Sequence, residues 1–114
     1  MLPKEYKLKR ENDFKAVFNK GRYYQVGFIK LKIFKNNFKK NRFGCSIGLK
    51  VSKKATQRNK IKRRIEEVIR LNTDRLTQGF DIVIMVDSQI TEKNYGQIKE
   101  ELVNLFKKAG LFAK

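Results

Sequence analysis

Apolar positions along the chain keep two rhythms. Phe14, Val17 and Phe18 fall at i, i+3 and i+4, the spacing of one helical face, before Gly21 closes the run. Asn12 is placed to cap this element and Asp13 stands in its electropositive first turn, so helix one is expected at about residues 12 to 20. Over residues 23 to 34 the rhythm changes to period two. Ile29, Leu31 and Ile33 alternate with Lys30 and Lys32, as in a strand with one buried and one polar face. Asn36, Asn37 and Asn41 mark a turn, and residues 42 to 49 read as the returning strand. Gly44 and Gly48 within it suggest bends or a close backbone approach.

Helix two is expected to begin near Ala55 or Thr56, because Ile61, Ile65, Val68 and Ile69 then share one stripe. Gln78 and Gly79 break the pattern. Residues 81 to 86 form an unbroken apolar run of the sort found in a strand between two neighbours. Thr91 can cap a last helix, whose Tyr95, Ile98, Leu102, Leu105, Phe106 and Ala109 make an apolar stripe ending at Gly110. The order is α-β-β-β-α-β-α, with no internal repeat and no low-complexity linker. A strand, a helix and a strand in succession predict a crossover and a parallel pair. The 114 residues suit one compact α/β domain of two-layer α+β type, spanning residues 1–114.

Charge then narrows the partners. The chain carries 28 Lys+Arg against 11 Asp+Glu, a formal net charge of +17, which is the electrostatic footprint of a nucleic-acid binder. Its hydrophobic content of 40% is enough for a core, so this is a folded basic domain rather than a disordered tail. The longest apolar run is far too short to span a membrane and the N-terminus has no export signal, so a cytoplasmic protein without a membrane partner is expected. There is no histidine, and Cys45 is the only cysteine. Disulfide frameworks, the usual zinc sites and histidine-based catalysis are thereby excluded, and Cys45 reads as a small buried residue.

Three groups of residues could carry function. The densest charge lies in residues 48 to 70, where Lys50, Lys53 and Lys54 lead into Arg58, Asn59, Lys60, Lys62, Arg63 and Arg64, with no acidic residue before Glu66. Charges of one sign over three turns repel one another unless a polyanion accepts them. Arg58 and Lys62 border the apolar stripe, and Asn59 and Arg63 lie farther round the same side. The second group is aromatic: Phe14, Phe18, Tyr23, Tyr24, Phe28 and Phe34, part core and part stacking platform for single-stranded RNA above a floor of Lys30 and Lys32. The third is Asp13, Asp81, Asp87 and Glu92, the candidate carboxylates of a metal-dependent nuclease. They form no close paired motif, and two stand where an element begins.

The run Val51-Ser52-Lys53-Lys54-Ala55, followed by Arg58-Asn59-Lys60-Ile61-Lys62-Arg63, resembles the signature of the bacterial ribonuclease P protein subunit. Leu8-Lys9, Asp13-Phe14, Val17-Phe18, Gly21, Arg42-Phe43-Gly44 and Asp81-Ile82-Val83-Ile84 extend the resemblance over nearly the whole chain. The resemblance implies an α/β domain with a left-handed crossover, an exception to the usual handedness. It implies removal of the 5′ leader from precursor transfer RNA, with hydrolysis carried out by an RNA subunit and its Mg2+ ions, and no catalytic or metal-binding residue in the protein. It further implies that Lys53, Lys54, Arg58, Asn59, Lys60, Lys62 and Arg63 contact ribonuclease P RNA. The leader would lie on Phe14, Phe18, Phe28, Lys30, Lys32 and Lys50; no DNA partner is expected. Lys60 stands where the family usually has arginine, Leu49 where it often has lysine, and Leu31 where tyrosine is common, so the resemblance implies firmer leader contacts on helix one than on the sheet. A general RNA-binding module of ribosomal-protein or RNA-chaperone type and a protein-only nuclease are the alternatives.

Overall fold

In the computed structural model of the chain, which describes residues 6–36 and 38–112, the expected order is realised around a four-stranded sheet. The elements are α1 (Glu11–Lys20), β1 (Arg22–Val26), β2 (Ile29–Lys35), β3 (Arg42–Ser46), α2 (Ala55–Asn72), β4 (Phe80–Val86) and α3 (Tyr95–Lys108). Short 3₁₀ turns, Thr73–Arg75 and Ser88–Glu92, follow α2 and β4. The sheet order is β1-β2-β4-β3, antiparallel except for β3 with β4, which are parallel and joined through α2. Among the described residues, no helix is long and apolar enough to cross a membrane.

Several boundaries differ from expectation for local reasons. The run over residues 23 to 34 is a hairpin, turned at Gly27 and Phe28. Gly27 has φ +55°, a left-handed conformation that glycine adopts without steric cost, so the turn favours glycine. Arg10, not Asn12, is the N-cap of α1 and makes no side-chain cap; Glu11 and Asp13 complement the helix dipole instead. At α3 the cap is Asn94 rather than Thr91. Asn94 and Gln97 exchange side-chain to backbone hydrogen bonds of 2.9 and 3.0 Å, so two amide donors are satisfied reciprocally where Thr91 could satisfy one. The Thr91 hydroxyl donates to the Ser88 carbonyl within the preceding turn. Strand β3 stops at Ser46, short of the expected residue 49, and the chain turns just beyond, where Val51 N–H donates to the Gly48 carbonyl at 3.0 Å. Asn37, part of the expected asparagine turn, lies outside the described residues.

The two faces of the sheet are covered unequally. On one, Ile29, Leu31 and Ile33 of β2, Phe43 of β3 and Ile82 and Ile84 of β4 pack against Ile61, Ile65 and Ile69 of α2 and Leu102, Leu105 and Phe106 of α3. On the other, α1 covers only part of the sheet, where Val17, Val83 and Leu8 form a small second core with Phe14, Phe34 and Met85 at its margin. Strand β4 is therefore apolar on both sides, while β2 alternates. The lysines of β2 emerge on the face that α1 leaves partly open.

Candidate nucleic-acid interface

The N-terminal half of α2 concentrates positive charge where a helix least favours it. Lys54 is the N-cap residue, no side chain caps the helix, and the first turn contains no acidic residue. Cations at the positive end of a helix are unfavourable, whereas anions are attracted there. The lead-in is held by hydrogen bonds: Arg58 Nη1 donates to the Ser52 carbonyl at 2.9 Å, and Ser52 Oγ donates to Gln57 Oε1 at 2.6 Å. Asn59, Lys62 and Arg63 line an open groove of about 450 Å³ with Lys7, Thr56 and Glu66. Lys60 is not part of that group. It lines a separate notch with Gln57 and Arg64 on the side of α2 that faces Lys93.

Glu66 carries no role in the sequence reading. It is 4% exposed and pairs with Lys7 at 3.6 Å, which ties the segment before α1 to α2. Glu66, the first carboxylate after the basic run and placed on the flank of the apolar stripe, is the sequence trace of this contact. The same segment joins the sheet edge, with Leu8 N–H donating to the Phe43 carbonyl at 2.8 Å.

The open sheet face supplies the second surface. Phe14 is half-buried against Gly44, where a Cβ would come within 2.5 Å of its ring, so the close approach expected at that glycine is real. Phe18 is exposed, and Lys32 Nζ donates to its carbonyl at 2.8 Å while lying 5.5 Å from its ring centre. Lys30 pairs with Asp87 at 3.3 Å, and Lys50 borders a groove formed with Val51, Val86 and Asp87. Phe28 is elsewhere: it is 6% exposed, in the main core at the hairpin turn, and offers no stacking face. Leu31 is fully buried on the opposite face, because its period-two partners Ile29 and Ile33 point the same way. Tyr23, half exposed on β1 and opposite Lys32, joins the open face. It belongs to the aromatic group that the sequence singles out, and its pairing with Lys32 places it on the platform side.

Three of the four candidate carboxylates, Asp13, Asp81 and Asp87, have basic partners. Arg42 donates from Nε and Nη2 to the two oxygens of Asp81 at 2.8 and 2.7 Å, and from Nη1 to Asp13 at 3.3 Å. The hydrogen bond with Asp81 raises the Arg42 pKa further above its ordinary value. Asp13 and Asp81 thus fasten α1 to the sheet. Among the described residues no three His, Cys, Asp or Glu side chains converge as a metal site.

Cys45 is half-buried on β3 rather than fully buried as expected, and desolvation of its thiol, helped by the Glu66 carboxylate, pushes its pKa up to about 12. Its folded pKa lies above the ordinary thiol value, so the stability tied to the neutral thiol is complete below about pH 8.5 and is lost as pH rises toward 12. At pH 8, iodoacetamide should modify Cys45 at least about a hundredfold more slowly in the native protein than in the unfolded chain. Labelling rates with and without denaturant check this.

The model of the family Ribonuclease P matches residues 2–110 of the chain. The chain belongs to the ribonuclease P protein family. A Clostridium botulinum relative named Ribonuclease P protein component is 39% identical over 96% of this chain and 98% of that protein. A Natranaerobius thermophilus protein of the same name is 36% identical over 94% of this chain and 92% of its own. The solved RNase P protein from Staphylococcus aureus is similar with a TM-score of 0.88 at 26% identity, covering 95% of this chain and 98% of that one. That from Thermotoga maritima gives 0.82 at 31% identity, covering 90% and 96%. A ribonuclease P protein has an RNA subunit as its partner, and this sets aside the general RNA-binding module.

Proposed function

We propose that the N-terminal half of α2 docks on ribonuclease P RNA while the sheet face beside α1 receives the 5′ leader of precursor transfer RNA. Family membership makes the chain the protein subunit of this RNA-based endoribonuclease, which matures the 5′ end of transfer RNA. Docking is assigned to Lys53, Lys54, Arg58, Asn59, Lys60, Lys62 and Arg63. The observation that carries it is an uncapped helix start, crowded with cations and without an acidic residue in its first turn. The leader is assigned to Phe14, Phe18, Lys30, Lys32 and Lys50, with Tyr23 added. An exposed ring beside an ammonium group suits stacking of a base next to a phosphate. Phe28 leaves this set on burial alone.

Magnesium ions supply a metal-activated water and stabilise the leaving oxygen in such hydrolysis. Of the candidate carboxylates, Asp13 and Asp81 are engaged by Arg42 and Asp87 by Lys30, so these three do not fit as resident ligands. The ions are therefore assigned to the RNA, and the protein contributes binding and charge neutralisation.

Reconstitution with a bacterial ribonuclease P RNA at low magnesium tests the whole. The protein should raise cleavage of precursor transfer RNA and tighten its binding; neither effect, or robust cleavage by the protein without RNA, defeats the reading. In the reconstituted enzyme, Phe18→Ala should weaken leader-bearing substrate by roughly ten- to a hundredfold, the worth of one stacked base. Leader-free transfer RNA should bind as before. Equal losses on both ligands would remove Phe18 as a platform.

A further inference from the structure

The cations of α2 form two rows that project to different sides. Asn59 and Arg63, one turn apart, face the groove shared with Lys7 and Lys62. Lys60 and Arg64, also one turn apart, face a notch of about 280 Å³ whose far wall is formed by residues 90 to 94. Neighbouring residues on a helix are about 100° apart around its axis, and the helix is roughly 10–12 Å across. One strand of phosphates following the first row does not also follow the second.

We infer that Lys60, Arg64 and Lys93 form a second phosphodiester-binding site for the catalytic RNA, so that α2 lies between two separate stretches of its backbone. This rests on the RNA-docking reading above. Arg64 is half-buried, and its Nη1 donates to the Lys93 carbonyl at 3.2 Å, which sets the guanidinium against the opposite wall. The Lys93 ammonium lies 5.6 Å from the ring centre of Phe28, a core residue behind the notch. Among the described residues none of these three cations is in an ion pair, although Glu92 also lines the notch. Three positive side chains against one carboxylate leave an excess that an RNA backbone would neutralise. Farther along, Arg70 is paired with Glu67, so the unpaired charge of this helix is concentrated in its N-terminal half.

The test compares two double variants of the full chain in assembly with a bacterial ribonuclease P RNA, with circular dichroism to verify folding. K60A/K93A should reduce the slope of log affinity against log salt by about two units, close to a sixtyfold loss at 0.1 M salt. Backbone protection should disappear from one stretch of the RNA, and K62A/R63A should expose a different stretch. A folded K60A/K93A variant with an unchanged slope, or loss of the same protections in both variants, overturns the second site while leaving the docking helix intact. Normal assembly combined with weaker precursor transfer RNA binding also overturns it, since the phosphates would then belong to the substrate. Failure of the unsubstituted chain to assemble overturns the docking reading itself.

Discussion

Replacing Arg42 by alanine is expected to lower the unfolding free energy by about 3–5 kcal/mol, the range for removing one partner of a buried ion pair. Asp81 is 4% exposed and accepts two hydrogen bonds from the guanidinium. Without Arg42 its remaining side-chain partner is Asn36, whose Nδ2 donates at 2.8 Å but carries no charge. The same guanidinium holds Asp13 of α1, so the loss should reach the position of Phe14 and Phe18 and weaken leader binding as well. Arg42→Lys keeps the charge without the planar fork and should fall between the two. Replacing the pair together, Arg42→Met with Asp81→Leu, should recover much of the stability, because no buried charge is left unmatched. Urea denaturation followed by circular dichroism measures all three. A loss below about 1 kcal/mol in Arg42→Ala would mean that water replaces the guanidinium, contrary to the burial of Asp81.

The second large effect concerns RNA assembly. The triple variant R58A/K62A/R63A removes three cations, each expected to release close to one counterion from the RNA. The salt slope should therefore fall by roughly 2.7 units, which at 0.1 M salt corresponds to about a 500-fold loss of affinity, or close to 4 kcal/mol. Lys62 and Arg63 are exposed and Arg58 is half-buried, its guanidinium bonded among the described residues to the lead-in backbone, so the fold should persist. Arg70→Ala is the matched control: the same helix loses a charge that is already paired with Glu67, and the slope should hardly move. Filter binding or calorimetry over a salt series separates these outcomes. A triple variant that binds like the unsubstituted chain would leave the basic helix without its partner.

Much of the architecture was legible because the periodicities are strong. Ile61, Ile65, Val68 and Ile69 recur at helical spacing and are all buried, as expected of a docked stripe. The alternation in β2 survives as a core face and a lysine face. The hairpin turn was hidden because Gly27 and Phe28 interrupt the alternation for only two residues. The caps were misplaced for a related reason. Asn12 and Thr91 have suitable side chains, but an N-cap is decided by which residue lies where the chain enters the helix, and tertiary packing sets that entry.

The candidate site divides along the same line. Charge density marked the docking helix at once, since a one-sided excess of lysine and arginine needs no fold to be seen. Whether a given aromatic is platform or core did not follow from spacing: Phe14 and Phe18 share one helical face yet are half-buried and exposed, and Phe28 at the hairpin turn is buried. Likewise Asp13 and Asp81 could be read as free carboxylates until Arg42 was found between them. By itself the sequence determined the element types, the family resemblance and the sign of the partner's charge, because these depend on residue type and near-neighbour spacing. Only the tertiary structure decided which side of α2 each cation faces, which rings stay open and which carboxylates are already bound, because those depend on what distant segments bring alongside.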